Sequence, residues 1–252
     1  MSASRSGPAR RDALAHLSLL GRFALHLTPE TSIRHELPVS SAGQKVLALL
    51  ALQARPVSRD WMTGQLWPDS DQRHGSWCLR AALHRLPLPQ GHRLVVGTDD
   101  RLALAPEVEV DVHVQGAHAL AVAEGGPSGD GHAVQLDHIS ALEHDVLPGW
   151  DEDWLLLERE RHRQLRLHAL ESLARSLTAQ RRYALALHCA LAAVDAEPLR
   201  ESAHRRVIEV HLAEGNVGEA IRQFRLCSRH FARELRISPS RSLHELVFGS
   251  SA

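Results

Sequence analysis

The most constraining feature of this 252-residue chain is a repeat near its end. QRRYALALHCALAAVDAEP (180–198) and EGNVGEAIRQFRLCSRHFA (214–232) share a pattern in which Ala186 and Ala220, Ala190 and Phe224, and Ala193 and Cys227 all stand at the same separation. A fixed period of about 34 residues, with small residues where two helices must approach closely, points to stacked helix pairs. Leu170, Leu173 and Ala174 supply the first helix of the earlier unit, so 170–232 is expected to be a run of packed helices.

Ala186, Ala190, Ala193 and Pro198 resemble the small-residue and proline positions of the tetratricopeptide repeat. Gly215–Asn216, Glu219–Ala220–Ile221 and Phe224 resemble its turn and second helix. Helices separated by small and polar residues are expected from Asp111 onward, with EGGPSGDGH (124–132) as a flexible turn. The acidic cluster Asp151–Glu152–Asp153, between Trp150 and Trp154, suits the positive end of the helix that continues through LLLERERHRQLRLHALESLARSL.

The first half has a different rhythm. HLSLLGRFALHL (16–27) is compatible with a strand around Gly21, and SIRHELPV (32–39) alternates apolar and polar, with Thr28, Pro29 and Glu30 as a turn. Together they predict an opening antiparallel pair. SSAGQKVLALLALQA (40–54) reads as a buried helix capped by Ser40 or Ser41, and VSRDWMTGQLW (57–67) as a shorter one capped by Ser58 and ended by Pro68. RHGSWCLRAALHRLPLP (73–89) places Leu79, Ala82, Leu83 and Leu86 at helical spacing, predicting a third helix over 73–86. HRLVVGTDDRLALAP (92–106) reads as a β-hairpin around Gly97–Arg101.

Charge is distributed unevenly beneath a net value of −1. Residues 72–105 carry five arginines against two aspartates (+3), whereas 106–160 carry one arginine against thirteen carboxylates (−12). A local field steers a polyanion, so a near-neutral total leaves a nucleic-acid surface open. The acidic middle is expected to act as a connector or to pair with the arginines that follow.

No apolar run approaches a membrane span, and the polar, basic opening lacks a secretory signal, so a cytoplasmic protein with a disordered basic tail at 1–12 is expected. Cys78, Cys189 and Cys227 are too scattered for a disulfide framework or a zinc module. His74 and Cys78 share a helix face but lack a second ligand pair, so no metal or other cofactor is expected. The single lysine, Lys45 in SAGQKV, lacks the neighbours of a phosphate-binding loop, and neither HExxH nor GxSxG occurs. An enzyme is not expected.

Strand pair, three helices and hairpin, in that order, resemble a winged helix-turn-helix of the OmpR type. Combined with the helical repeats, they resemble the bacterial SARP-type regulators, whose second half is the bacterial transcriptional activator domain. LLGRFALHL, GQKVLALLALQARPVSRDWMTGQLWPD, SWCLRAALHRL, EPLRESAHRRVIEVHLAEGNVGEAIRQF and ELRISPS carry that likeness across roughly 14–248. It implies a mainly α protein: an α+β winged helix over 13–110, followed by an all-α tetratricopeptide-like domain over 111–252. It also implies sequence-specific binding of double-stranded DNA by the first part, and contacts with RNA polymerase or a regulatory protein by the second. A homodimer is compatible with this reading. Two departures stand out: Arg85–Leu86 runs into Pro87–Leu88–Pro89 where the family continues with a basic residue, and Asp100–Arg101 replaces a Gly-Tyr pair in the wing. With no room for a receiver domain before the first strand, any signal is expected to arrive through the helical half.

In a winged fold the third helix enters the major groove. The expected DNA contacts are Arg73 at the helix start, Arg80 for bidentate bonding to guanine, Ser76 and His84 a turn to either side, and Arg85 at the end. Arg93 and Arg101 flank the wing, and Lys45, Arg55 and Arg59 could reach phosphates from the first two helices. The competing explanation of the same stripe is a solvated helix face. Two functions follow: a DNA-binding transcriptional regulator, or a protein-interaction module whose winged helix has lost DNA binding.

Overall fold

The computed structural model describes residues 13–27, 35–123, 142 and 144–249. The expected basic tail, the turn at Thr28–Glu30 and the Gly-rich stretch 124–132 lie outside them. The chain divides into two units: residues 1–114 with 145–159, and residues 115–144 with 160–252.

In the first unit, β1 (Ala15–Ser18) and β2 (Ala24–Leu27) pair antiparallel, with Ala15 opposite Leu27 and Ser18 opposite Ala24. Gly21 makes the reversal possible with φ +78°, a region that costs side-chain-bearing residues energy. The opening antiparallel pair thus lies within 15–27. Of the second expected strand (32–39), the described residues 35–39 contribute a bridge, His26 to Glu36, with Leu37 N–H donating to the Leu25 carbonyl at 2.7 Å, and 32–34 lie outside the described residues. The other edge of the sheet is β6 (Val108–Val110), which pairs parallel to β1.

Helix α1 (Ser41–Gln53) begins where Ser40 Oγ accepts the Gly43 N–H. Val46 through Ala51 are all buried, as expected of a helix apolar nearly all round. A short strand, β3 (Val57–Ser58), precedes α2 (Arg59–Leu66), whose Ser58 cap accepts the Trp61 N–H at 3.2 Å. Helix α3 (Gln72–His84) is capped by Asp71, which accepts the His74 N–H at 2.7 Å. It ends short of the expected 86; Leu86 still packs into the core before Pro89–Gly91 forms a short 3-10 turn.

The wing is β4 (Val95–Gly97) and β5 (Arg101–Leu104), joined by β3 into a sheet of order β3-β5-β4. A β-carbon on Gly97 would lie 2.1 Å from the Arg101 carbonyl oxygen, so the tight wing turn excludes any larger residue. The Arg59 N–H donates to the Asp100 carbonyl at 2.9 Å, tying the wing turn to the start of α2. Asp145–Arg159 belongs to this unit too: Gly21 N–H donates to the Asp145 carbonyl, Leu147 N–H to that of Leu19, and Trp150 stacks on Phe23 at 6.2 Å. The Asp111 carboxylate accepts from Leu19, Leu20 and Val112 N–H; burial raises its pKa while those bonds oppose the rise.

Helix α4 (Asp111–Ala123) leads into the second unit, and α5 (Asp153–Ala179) begins at the acidic cluster. Then come α6 (Tyr183–Ala196), α7 (Glu201–Glu214), α8 (Val217–Glu234) and α9 (Arg241–Phe248). Ala186, Ala190 and Ala193 are fully buried on α6, as are Ala220 and Cys227 on α8, so the repeat period marks the helix contacts. The equivalence extends to the turns. Arg182 N–H bonds to the Leu177 carbonyl and Arg181 N–H to that of Thr178; one period further along, Asn216 bonds to His211 and Gly215 to Leu212. Arg181 has φ +58° and Gly215 φ +89°. Among the described residues, no helix is long and apolar enough to cross a membrane.

Candidate nucleic-acid interface

Three constraints position α3. Asp71 fixes its start, Leu79 and Ala82 bury one face against α1 and α2, and Gly75 lets α2 come close. A β-carbon on Gly75 would lie 2.3 Å from Thr63 Cγ2, and Thr63 cannot swing freely because its hydroxyl donates to the Arg59 carbonyl at 2.8 Å. The opposite face carries Arg73, Trp77, Arg80 and His84, all exposed and recurring at helical spacing.

Arg80 and His84 meet the wing across a groove of about 620 Å³. Arg59 from α2 and Arg93 before β4 line the same groove, and its lining contains no carboxylate. The Arg59 Nε is buried without a hydrogen-bond partner. Three guanidiniums, from α2, α3 and the loop before β4, therefore converge on one recess, an arrangement suited to an anion. Arg80 also borders a second recess of about 550 Å³ at the start of α3, with Arg73, His74, Trp77 and Asp71. His74 and Trp77 stack there at 6.0 Å with planes 26° apart.

The structure thus brings together Arg80, His84 and Arg93 at one recess, and Arg73 and Arg80 at the other. Ser76 is half-buried beside Gly75, and exposed Arg85 follows the last turn; neither lines either of these two recesses. Arg101 opens β5 at an exposed wing tip, 3.9 Å from Asp100. Arg55 is exposed beyond the end of α1, its guanidinium 3.5 Å from Gln53 Oε1. Lys45 is ion-paired with Glu152 at 2.5 Å, so its charge is engaged within the first unit. Trp77 is absent from the contacts expected from the sequence, although its spacing from Arg73 and Arg80 places it on the same stripe.

The second unit holds buried polar groups in closed pairs. Glu171 accepts from Arg200 at 2.6 Å and Ser202 at 2.7 Å. His204, fully buried, contacts the Pro198 carbonyl through Nε2 at 2.9 Å and Gln223 through Nδ1 at 2.8 Å. Burial holds its pKa below the usual imidazole value; the Pro198 carbonyl can only accept, so Nε2 carries the proton and Nδ1 accepts from the Gln223 amide. Burial likewise pushes the Cys227 thiol up to about 12, making it an unreactive packing residue. Among the described residues, no cluster of three or more His, Cys, Asp or Glu could hold a metal ion.

Residues 135–247 match the bacterial transcriptional activator domain. The structure of Mycobacterium tuberculosis EmbR in complex with a low-affinity phosphopeptide is similar in fold, with a TM-score of 0.62 at 18% identity. That match covers 94% of this chain and 64% of the other, so this chain spans under two thirds of that protein's length. Among curated protein sequences, none matches. Residues 135–247 thus carry a bacterial transcriptional activator domain, and the chain has a fold similar to that of EmbR.

Proposed function

We propose that the protein is a sequence-specific DNA-binding activator that inserts α3 into the major groove of double-stranded DNA. The observation that carries this reading is the convergence of Arg59, Arg80 and Arg93 on a carboxylate-free groove beside the exposed face of α3. Arg80 donates to guanine O6 and N7, Ser76 and His84 contact neighbouring base edges, and Arg73 and Arg85 hold phosphates at the two ends of the helix. Arg59, Arg93 and Arg101 grip the backbone along the wing. Lys45, engaged by Glu152, is left out of this set. The helical repeats contact RNA polymerase or another protein, and two copies bind as a homodimer on paired half-sites.

One observation favours the alternative, a protein-interaction module without DNA binding: the wing tip is acidic, with Asp99 and Asp100 both exposed. Titration of binding to a duplex against salt separates the two. A DNA reader that neutralises phosphates loses affinity linearly on a double-logarithmic plot, by roughly 0.9 units per phosphate contacted. Affinity that is absent even at low salt favours the module, and affinity equal for every sequence contradicts sequence-specific reading.

A further inference from the structure

We infer that Trp77 determines part of the sequence preference by packing on the C5-methyl group of a thymine next to the base read by Arg80. The inference rests on the DNA-reading role proposed above. Trp77 is 58% exposed, although the apolar face of its own helix has a core to enter. A large ring left in water on a helix surface gains by being covered. Its immediate neighbours on the exposed stripe are Arg73 and Arg80, with His84 beyond, so whatever covers it must accept cations around an apolar spot. The major groove of DNA meets that demand: it is bordered by phosphates, and its one apolar group is the thymine methyl.

Spacing selects the neighbouring base pair. The rise from Trp77 to Arg80 along the helix is about 4.5 Å, and successive bases are about 3.4 Å apart. Trp77 and Arg80 therefore address adjacent steps. Stacking on His74 holds the ring in place before any ligand arrives.

The test uses duplexes selected from a random library by the full chain, resynthesised with uracil at each thymine in turn. Uracil differs from thymine only by the methyl group. The wild-type protein is expected to bind about fourfold more weakly when the thymine beside the Arg80 guanine is replaced, the factor that burial of one methyl gives. Trp77→Phe keeps the discrimination, and Trp77→Ala binds both duplexes equally. Equal affinity of the wild type for thymine and uracil at every position overturns the inference while leaving DNA reading intact, as does discrimination that survives in Trp77→Ala. If the library yields no enriched duplex, the DNA-reading proposal falls first and this one with it.

Discussion

Gly75 of α3 lies so close to Thr63 of α2 that a β-carbon on the glycine would come within 2.3 Å of Thr63 Cγ2. This contact sets the separation of the two helices that present Arg59 and Arg80 to the same groove. Alanine ordinarily favours a helix over glycine by about 1 kcal/mol. Here the clash outweighs it, because the Thr63 rotamer is held by the bond to Arg59. Gly75→Ala is expected to destabilise the protein by about 1–3 kcal/mol and to weaken DNA binding. Thr63→Ser removes the offending methyl, so the double variant should recover most of the loss; chemical denaturation of the four proteins gives the coupling.

Arg181 and Gly215 close equivalent turns of successive repeats, yet only one is a glycine. A left-handed conformation costs a side-chain-bearing residue roughly 1–2 kcal/mol. Arg181→Gly is therefore expected to raise stability by about 1 kcal/mol, less the extra freedom that glycine gives the unfolded chain. Gly215→Ala should lower it by a similar amount, and the two shifts in thermal midpoint should have opposite signs.

His204 is buried as the neutral tautomer between Pro198 and Gln223, with His230 at 6.3 Å and Glu201 as the other charged groups acting on it. Its folded pKa is depressed, so the unfolded chain binds a proton more readily. The stability it contributes is present in full above the ordinary imidazole value, about 6.5, and is lost as pH falls from there through the depressed folded value. Thermal midpoints measured from about pH 5 to 8 should fall more steeply towards acid in the wild type than in His204→Gln. Parallel curves would remove His204 from the acid response.

Arg80 and Arg101 differ in setting. Arg80 stands at the junction of both recesses, whereas Arg101 lies at the wing tip beside Asp100. Arg80→Ala is expected to cost roughly 1–3 kcal/mol of binding and to relax preference at one base pair. Arg101→Ala should weaken all sequences about equally and by less, because Asp100 already offsets part of its charge. Competition against duplexes altered at single positions distinguishes these outcomes.

The helices were legible because their signals are local. Ser40 and Ser58 cap as their types suggest, and Ala186 and Ala220 bury where the repeat period requires. The sheets were less so. Strand β6 pairs with β1 from the opposite end of the winged unit's sequence, and β3 is no more than Val57–Ser58, so neither leaves a periodic trace. His35–Val39 alternates like a strand, but it lies along the outer edge of β2 and forms a single bridge there. Within the site, the arginines of α3 could be read from their spacing. Arg59 and Arg93 join Arg80 only through the fold, and Lys45 is held by Glu152, a partner far along the chain that no local pattern announces. Trp77 was hidden by its type, since tryptophan at helical spacing ordinarily enters the core.

DNA reading by α3 is tested most directly by selecting genomic fragments with the purified full-length chain and repeating the selection with Arg80→Ala. The account predicts that the wild type enriches one motif containing a guanine, and that the variant enriches it weakly, with that guanine no longer preferred. Enrichment no greater than random DNA, or an identical motif from Arg80→Ala, would contradict it.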